Sequence, residues 1–199
     1  MRVIGLCGRS GSGKSSFCKI AEAMGFEVID CDMVYRSIVS KRTPCLNELE
    51  AYFGSDVIVN DSLDRARLAA IVFTDPAKLD ALNEITHKHI LKEVEAMLGQ
   101  LDSDTSVILD APTLFESGAY KMCDVTVCVI APDEDCLRRI MLRDGLDQEK
   151  ATQRLSNQHT NDFFASRCDV TVYNDSTQEA FFEASRAVLD KLFLCEEGN

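Results

Sequence analysis

Apolar residues first gather in Arg2–Cys7, a short β-branched run closed by Gly8. Such a run predicts a buried strand. From Lys14 to Met24 the spacing becomes helical: Phe17, Ile20, Ala21 and Met24 share one face, and Gly25 stands where a helix ends. Glu27–Asp30 is extended and apolar again, and leads into Asp30-Cys31-Asp32. Strand, helix and strand within about thirty residues make a βαβ unit, which predicts a parallel sheet.

The pattern then changes. Helical periodicity dominates residues 33–105, in Met33–Ser40, Leu46–Phe53, Arg65–Phe73 and Pro76–Leu98, with one short extended piece at Val57–Val59. This stretch reads as a helical insertion between strands of the sheet. Strand patterns return at Ser106–Asp110, Asp124–Ile130 and Asp169–Tyr173. Asp133–Gln158 reads as helical, and Thr177–Leu194 as a terminal amphipathic helix.

Composition narrows the class. The 199 residues are 46% hydrophobic, enough for one compact domain with a real core. Only 21 Lys and Arg oppose 33 Asp and Glu, for a net charge of −12. That balance argues against nucleic acid, whose binding needs a basic face. An anionic small molecule would need a local positive site, because the global field repels it. Five residues separate Arg2 from Gly8, too few for a secretory apolar segment, and no run reaches the length of a membrane span. The expectation is a cytoplasmic protein without membrane partners, either a monomer or a weak homo-oligomer. Nine cysteines form no Cys-x-x-Cys pair, so they are expected to be reduced core residues, Cys195 included. His87 and His89 are two apart, which on a helix points them to different faces and away from a shared metal.

The motif with chemistry is Gly8-Arg9-Ser10-Gly11-Ser12-Gly13-Lys14-Ser15, a match to G-x-x-x-x-G-K-[ST] between a strand and a helix. Its glycines let several backbone N–H groups converge on one phosphate, and the following helix adds its positive end. Gly8, Gly11, Ser12, Gly13, Lys14, Ser15 and Ser16 are therefore the expected nucleotide-binding residues. Lys14 supplies a positive charge for the β and γ phosphates, and the Ser15 hydroxyl is the expected Mg²⁺ ligand. Asp30 and Asp32 open into the crevice at the end of the second strand. A kinase acting on a hydroxyl needs a carboxylate there, and a helix starting near Met33 needs a cap. Spacing alone leaves open which aspartate does which. Asp110, at the end of the third strand, reads equally as a carboxylate near Mg²⁺ or as a strand-end turn. Arg139 and Arg143 share a helical face and can offset the charge of a transferring phosphoryl group.

The order of these pieces resembles the dephospho-coenzyme A kinase family across nearly the whole chain. The matching stretches are Gly11–Ser16, Val28-Ile29-Asp30-Cys31-Asp32, Tyr52-Phe53-Gly54, Leu63-Asp64-Arg65, Ile71-Val72-Phe73, His87, Pro112–Glu116, Arg143-Asp144-Gly145, Gln158 and Asn174. The resemblance implies an α/β P-loop fold of the adenylate-kinase-like kind, with a parallel sheet flanked by helices. It implies a nucleotide core (1–32, 106–135 and 166–199), a helical acceptor-binding insertion (33–105) and a lid (136–165). ATP would phosphorylate the ribose 3′-hydroxyl of dephospho-coenzyme A, with Asp32 as the catalytic aspartate. Arg65, His87, Leu114, Phe115 and Glu116 would face the acceptor, and Arg139 and Arg143 would belong to the lid. Departures lie at Arg9 and Ser10, where the family usually has small or aliphatic residues, and at Lys88, where a proline is usual. Gln158–Phe164 also lacks the usual basic residues, a gap for which Arg9 or Arg167 could compensate. Another small-molecule kinase of the same fold, or a silent ATP-binding regulator, are the rival readings.

Overall fold

The computed structural model of the chain describes residues 1–194. In chain order they form β1 (Arg2–Cys7), α1 (Lys14–Ala23), β2 (Glu27–Asp30), α2 (Cys31–Val39), α3 (Pro44–Phe53), β3 (Ile58–Val59), β4 (Ser62–Leu63), α4 (Arg65–Val72) and α5 (Pro76–Leu98). There follow β5 (Ser106–Asp110), β6 (Val125–Ile130), α6 (Asp133–Asp144), α7 (Gln148–Ser156), α8 (Asn161–Ala165), β7 (Val170–Tyr173) and α9 (Gln178–Leu194). These elements divide into two compact units.

The first unit comprises Met1–Ile29, Asp102–Leu114 and the described residues from Ala119 onward. Its sheet has the order β2-β5-β1-β6-β7, with β1 parallel to both β5 and β6, and β6 parallel to β7. A parallel strand in the middle is covered on both faces, which explains why β1 reads as an unbroken apolar run. One face carries Ile4, Leu6, Ile108, Val127, Val129 and Val172, packed on Phe17 and Ala21 of α1 and Phe181 and Leu189 of α9. On the other, Gly5 lets Leu114 and Cys123 come close, since a Cβ there would stand 3.1 Å from Leu114 Cδ1. Chain connections from β1 first run to the β5 side and later cross to the β6 side. The crevice beyond the C-terminal end of β1 is thus the switch point where α/β sheets hold ligands.

The second unit comprises Asp30–Leu101 and Phe115–Gly118. Its core is helical, with Ile38, Leu46, Leu49, Leu68, Val72 and Ile85 closed around Val57. Fully burying a leucine such as Leu46 or Leu49 contributes about 2 kcal/mol.

Three sequence expectations change in detail. The second and third helices start two residues early, at Cys31 and Pro44, because Asp30 and Thr43 cap them. Val57 lies in a 3-10 turn, and only Ile58–Val59 is extended. That strand pairs with the unforeseen β4 across Asn60 and Asp61, both with positive φ (50° and 58°), the conformation a tight hairpin turn demands. Asp133–Gln158 is two helices, because Gly145 ends α6 in the left-handed region (φ 65°) and Asp147 caps α7 through Lys150 N–H at 2.8 Å. Cys7, Cys18, Cys31, Cys45, Cys128 and Cys136 are buried as free thiols, Cys123 and Cys168 are half-buried, and Cys195 lies outside the described residues. Among the described residues, no helix is long and apolar enough to cross a membrane.

Candidate active site

In the first unit the chain leaves β1 through Gly8–Gly13 and enters α1 at Lys14. The turn needs glycine at Gly8, where a Cβ would lie 2.4 Å from the Val129 carbonyl oxygen, and at Gly13, where φ is 118° and a Cβ would lie 2.4 Å from Asn174 Nδ2. That close approach lets Asn174 brace the loop. Asn174 Nδ2 donates to Ser12 O at 2.7 Å, and Asn174 Oδ1 accepts from Arg139 Nη2 at 3.4 Å. Arg139 Nη1 in turn donates to Gly11 O and Ser12 O at 3.1 and 3.3 Å. Loop carbonyls are thereby held by side chains, while Ser10 N–H is taken by Gln158 Oε1 and Ser12 N–H by Arg9 O.

Lys14 Nζ donates to Gly8 O at 2.7 Å and to Arg9 O at 3.3 Å, so it bends back over the loop. Ser15 and Ser16, on the first turn of α1, are exposed. Arg143 donates from Nη2 to Ser10 Oγ at 3.3 Å and forks onto Asp144 with two bonds of 2.8 Å. Asp144 also receives Arg154 of α7. Arg143 holds the Asp144 carboxyl below its ordinary range, and Asp144 raises Arg143. These are exposed pairs on a helix surface, so they orient the arginine more than they stabilise the fold.

Arg9 corrects one expectation. Its side chain is 7% exposed and pairs with Asp133, and Nη2 donates to Leu155 O at 2.8 Å. It is therefore committed to α6 and α7. Arg167 stacks over the Phe163 ring at 3.9 Å, and His159 stacks on the same ring with centroids 3.6 Å apart. Leu114 is fully buried over Gly5 and holds the turn after β5.

The second unit holds the other predicted residues. Asp30 Oδ1 accepts from Asp32 N–H at 2.8 Å and Met33 N–H at 3.1 Å, so Asp30 is the cap of α2 and Asp32 is not. Asp32 is exposed on the first turn. Arg65 begins α4 under the Asp64 cap and lies over the Tyr35 ring at 5.3 Å. His87 of α5 is half-buried. Burial pushes its pKa down, opposed by the nearby Glu116 carboxylate. His89 faces Glu48 instead, which confirms that the two histidines diverge. Phe115 is half-buried and Glu116 exposed.

Ser15 and Asp110 are the first-unit residues that could hold a divalent cation. Ser15 offers a hydroxyl, and one turn further along α1 Cys18 Sγ lies 3.8 Å from Asp110 Oδ2, which brings a carboxylate beside the same helix. Hydroxyl and carboxylate oxygens suit Mg²⁺, which keeps its remaining positions for phosphate and water. Burial and Asp110 raise the Cys18 thiol well above its ordinary range.

Asn174, Gln158 and Asp133 are loop-binding residues that sequence reasoning did not place in the site. Asn174 and Gln158 were visible as matched positions, and Asp133 as an acid opening a helix. None of the three carries a motif that says which backbone atom it meets.

The family model described as dephospho-CoA kinase matches residues 2–180. A curated dephospho-CoA kinase from Syntrophotalea carbinolica is 37% identical over 196 residues, covering 96% of this chain and 92% of the relative. The solved dephospho-CoA kinase from Campylobacter jejuni superposes with a TM-score of 0.72 at 26% identity, over 96% of this chain and 98% of the other. A shikimate kinase from Bacteroides thetaiotaomicron, at 15% identity and TM-score 0.57 over 97% and 99% of the two chains, shares the fold alone. Motif, loop geometry and comparison agree, and the chain belongs to the dephospho-CoA kinase family.

Proposed function

We propose that the chain transfers the γ-phosphoryl group of Mg·ATP to the ribose 3′-hydroxyl of dephospho-coenzyme A, giving coenzyme A and ADP. The observation that carries this reading is the phosphate loop Gly8–Ser15, braced by Arg139 and Asn174, in a chain of this family. The loop N–H groups and Lys14 hold the β and γ phosphates. Mg²⁺ held by Ser15 and Asp110 would offset phosphate charge. Asp32 orients the acceptor hydroxyl and takes its proton, while Asp30 Oδ1 caps α2. Arg139 and Arg143 stabilise the charge of the transferring group. Arg65, His87, Phe115 and Glu116 bind the acceptor. The reaction belongs in the cytoplasm, where reduced thiols and ATP coexist, and a single chain, monomeric or weakly self-associating, suffices for it.

Mass spectrometry of a mixture of protein, Mg·ATP and dephospho-coenzyme A tests the reading directly. Coenzyme A and ADP should form in equal amounts, and formation should vanish with Asp32→Ala. ADP without coenzyme A would assign the chain a different acceptor.

A further inference from the structure

Arg9 is an unusual occupant of a phosphate loop. Its guanidinium is buried, and a buried cation is costly unless it is paired. Nη1 pairs with Asp133 in the first turn of α6, and Nη2 donates to Leu155 O in the last turn of α7. Leu155 O also accepts Gln158 N–H at 3.2 Å, so the guanidinium adds a charged donor to a carbonyl at the negative end of α7. The next residue repeats the connection: Ser10 N–H donates to Gln158 Oε1 at 2.8 Å, two residues beyond α7. α6 has its own grip on the loop through Arg139 and Arg143. α7 reaches the loop through Arg9 and Gln158. Between α6 and α7 lies a small apolar core of Ala131, Cys136, Ile140, Ala151 and Leu155.

We propose that Arg9 is a positioning residue: acting through Asp133 and the Leu155 carbonyl, it locks the α6–α7 hairpin onto the phosphate loop and so keeps Arg139 and Arg143 aligned for phosphoryl transfer. It touches neither phosphate nor acceptor. This deepens the kinase reading above and rests on it for its catalytic consequence.

The test uses the full chain carrying Arg9→Ala, Arg9→Lys, Asp133→Asn or both Arg9→Ala and Asp133→Asn. Amide hydrogen exchange is followed at the C-terminal turn of α7 with Mg·ATP alone, and steady-state kinetics with dephospho-coenzyme A. Exchange there should accelerate about tenfold in Arg9→Ala and Asp133→Asn, and less in Arg9→Lys, which keeps the charge but loses the fork. Turnover should fall about 10- to 100-fold while KM for ATP moves by no more than about threefold. The double variant should be no worse than Arg9→Ala, because both changes cut one link. Wild-type behaviour of Asp133→Asn beside a defective Arg9→Ala would overturn the proposal and put Arg9 on the phosphate. Wild-type exchange and turnover in Arg9→Ala would overturn it as well. Should Arg9→Ala fail to fold, Asp133→Asn breaks the same link and decides the proposal on both readouts. Exchange is read without acceptor, so a wild-type protein that makes no coenzyme A refutes the kinase reading and leaves the positioning result standing.

Discussion

Asp30 and Asp32 are chemically identical and two residues apart, yet their surroundings separate them. The Asp30 carboxylate is occupied by two N–H groups at the start of α2, whereas Asp32 sits exposed on the first turn. Asp30→Ala should therefore cost about 1 kcal/mol in urea denaturation and leave turnover per folded molecule nearly intact. Asp32→Asn should leave stability within about 0.5 kcal/mol and cut turnover about 10²- to 10⁴-fold. The reverse pattern would give the base to Asp30. His87 supplies a second test at this scale. Burial depresses its pKa, so the unfolded chain binds a proton more readily than the folded one. The neutral-ring contribution is complete above the ordinary histidine pKa near 6.5 and is lost as pH falls through the lower folded value. Melting temperature should drop between about pH 7 and pH 5, and His87→Gln should flatten part of that drop, as calorimetry across the range would reveal.

Elements were legible where periodicity and caps agreed. β1, β2, β5 and the long helix Pro76–Leu98 stand where their patterns put them, because each is long or apolar enough to declare its period. The Asp133–Gln158 region shows the limit. Its charged residues sustain a helical pattern through Gly145, and only the backbone shows a left-handed stop followed by the Asp147 cap. The candidate site was legible in the same graded way. The phosphate loop announces itself, since its spacing is dictated by one phosphate. Arg9 and Leu114 do not, since a sequence does not say whether an arginine's partner is a ligand or Asp133, or whether a leucine faces a pocket or Gly5. Gly145→Ala isolates the stop. No atom lies within 4 Å of a Cβ there, so the cost is backbone strain alone, about 1 kcal/mol. The melting temperature should fall by a few degrees, and exchange should quicken at the end of α6. A stability equal to wild type would show that the break at Gly145 is not enforced by its conformation.

At the scale of the molecule, each of the two units has a hydrophobic core of its own. Ile4, Leu6, Phe17, Val127 and Leu189 belong to the unit that carries the phosphate loop. Leu46, Leu49, Leu68 and Ile85 belong to the unit that carries Asp32, Arg65 and His87. The net charge of −12 opposes any anionic ligand, so binding must come from local donors: loop N–H groups, Lys14, Arg139 and Arg143 in the first unit, Arg65 in the second. Each substrate should then protect its own unit first. Mg·ATP at about 100 times its Kd should raise stability by about 2.7 kcal/mol and slow exchange in β1, α1 and α6. Removing Mg²⁺ with a chelator should shrink that gain, and Lys14→Ala should nearly abolish it. Dephospho-coenzyme A alone should slow exchange in α2, α4 and α5 while leaving the phosphate loop largely as it was. Protection by dephospho-coenzyme A confined to the loop would contradict the assignment of Arg65, His87 and Glu116 to the acceptor, because an adenine nucleotide bound there would be occupying the donor's site.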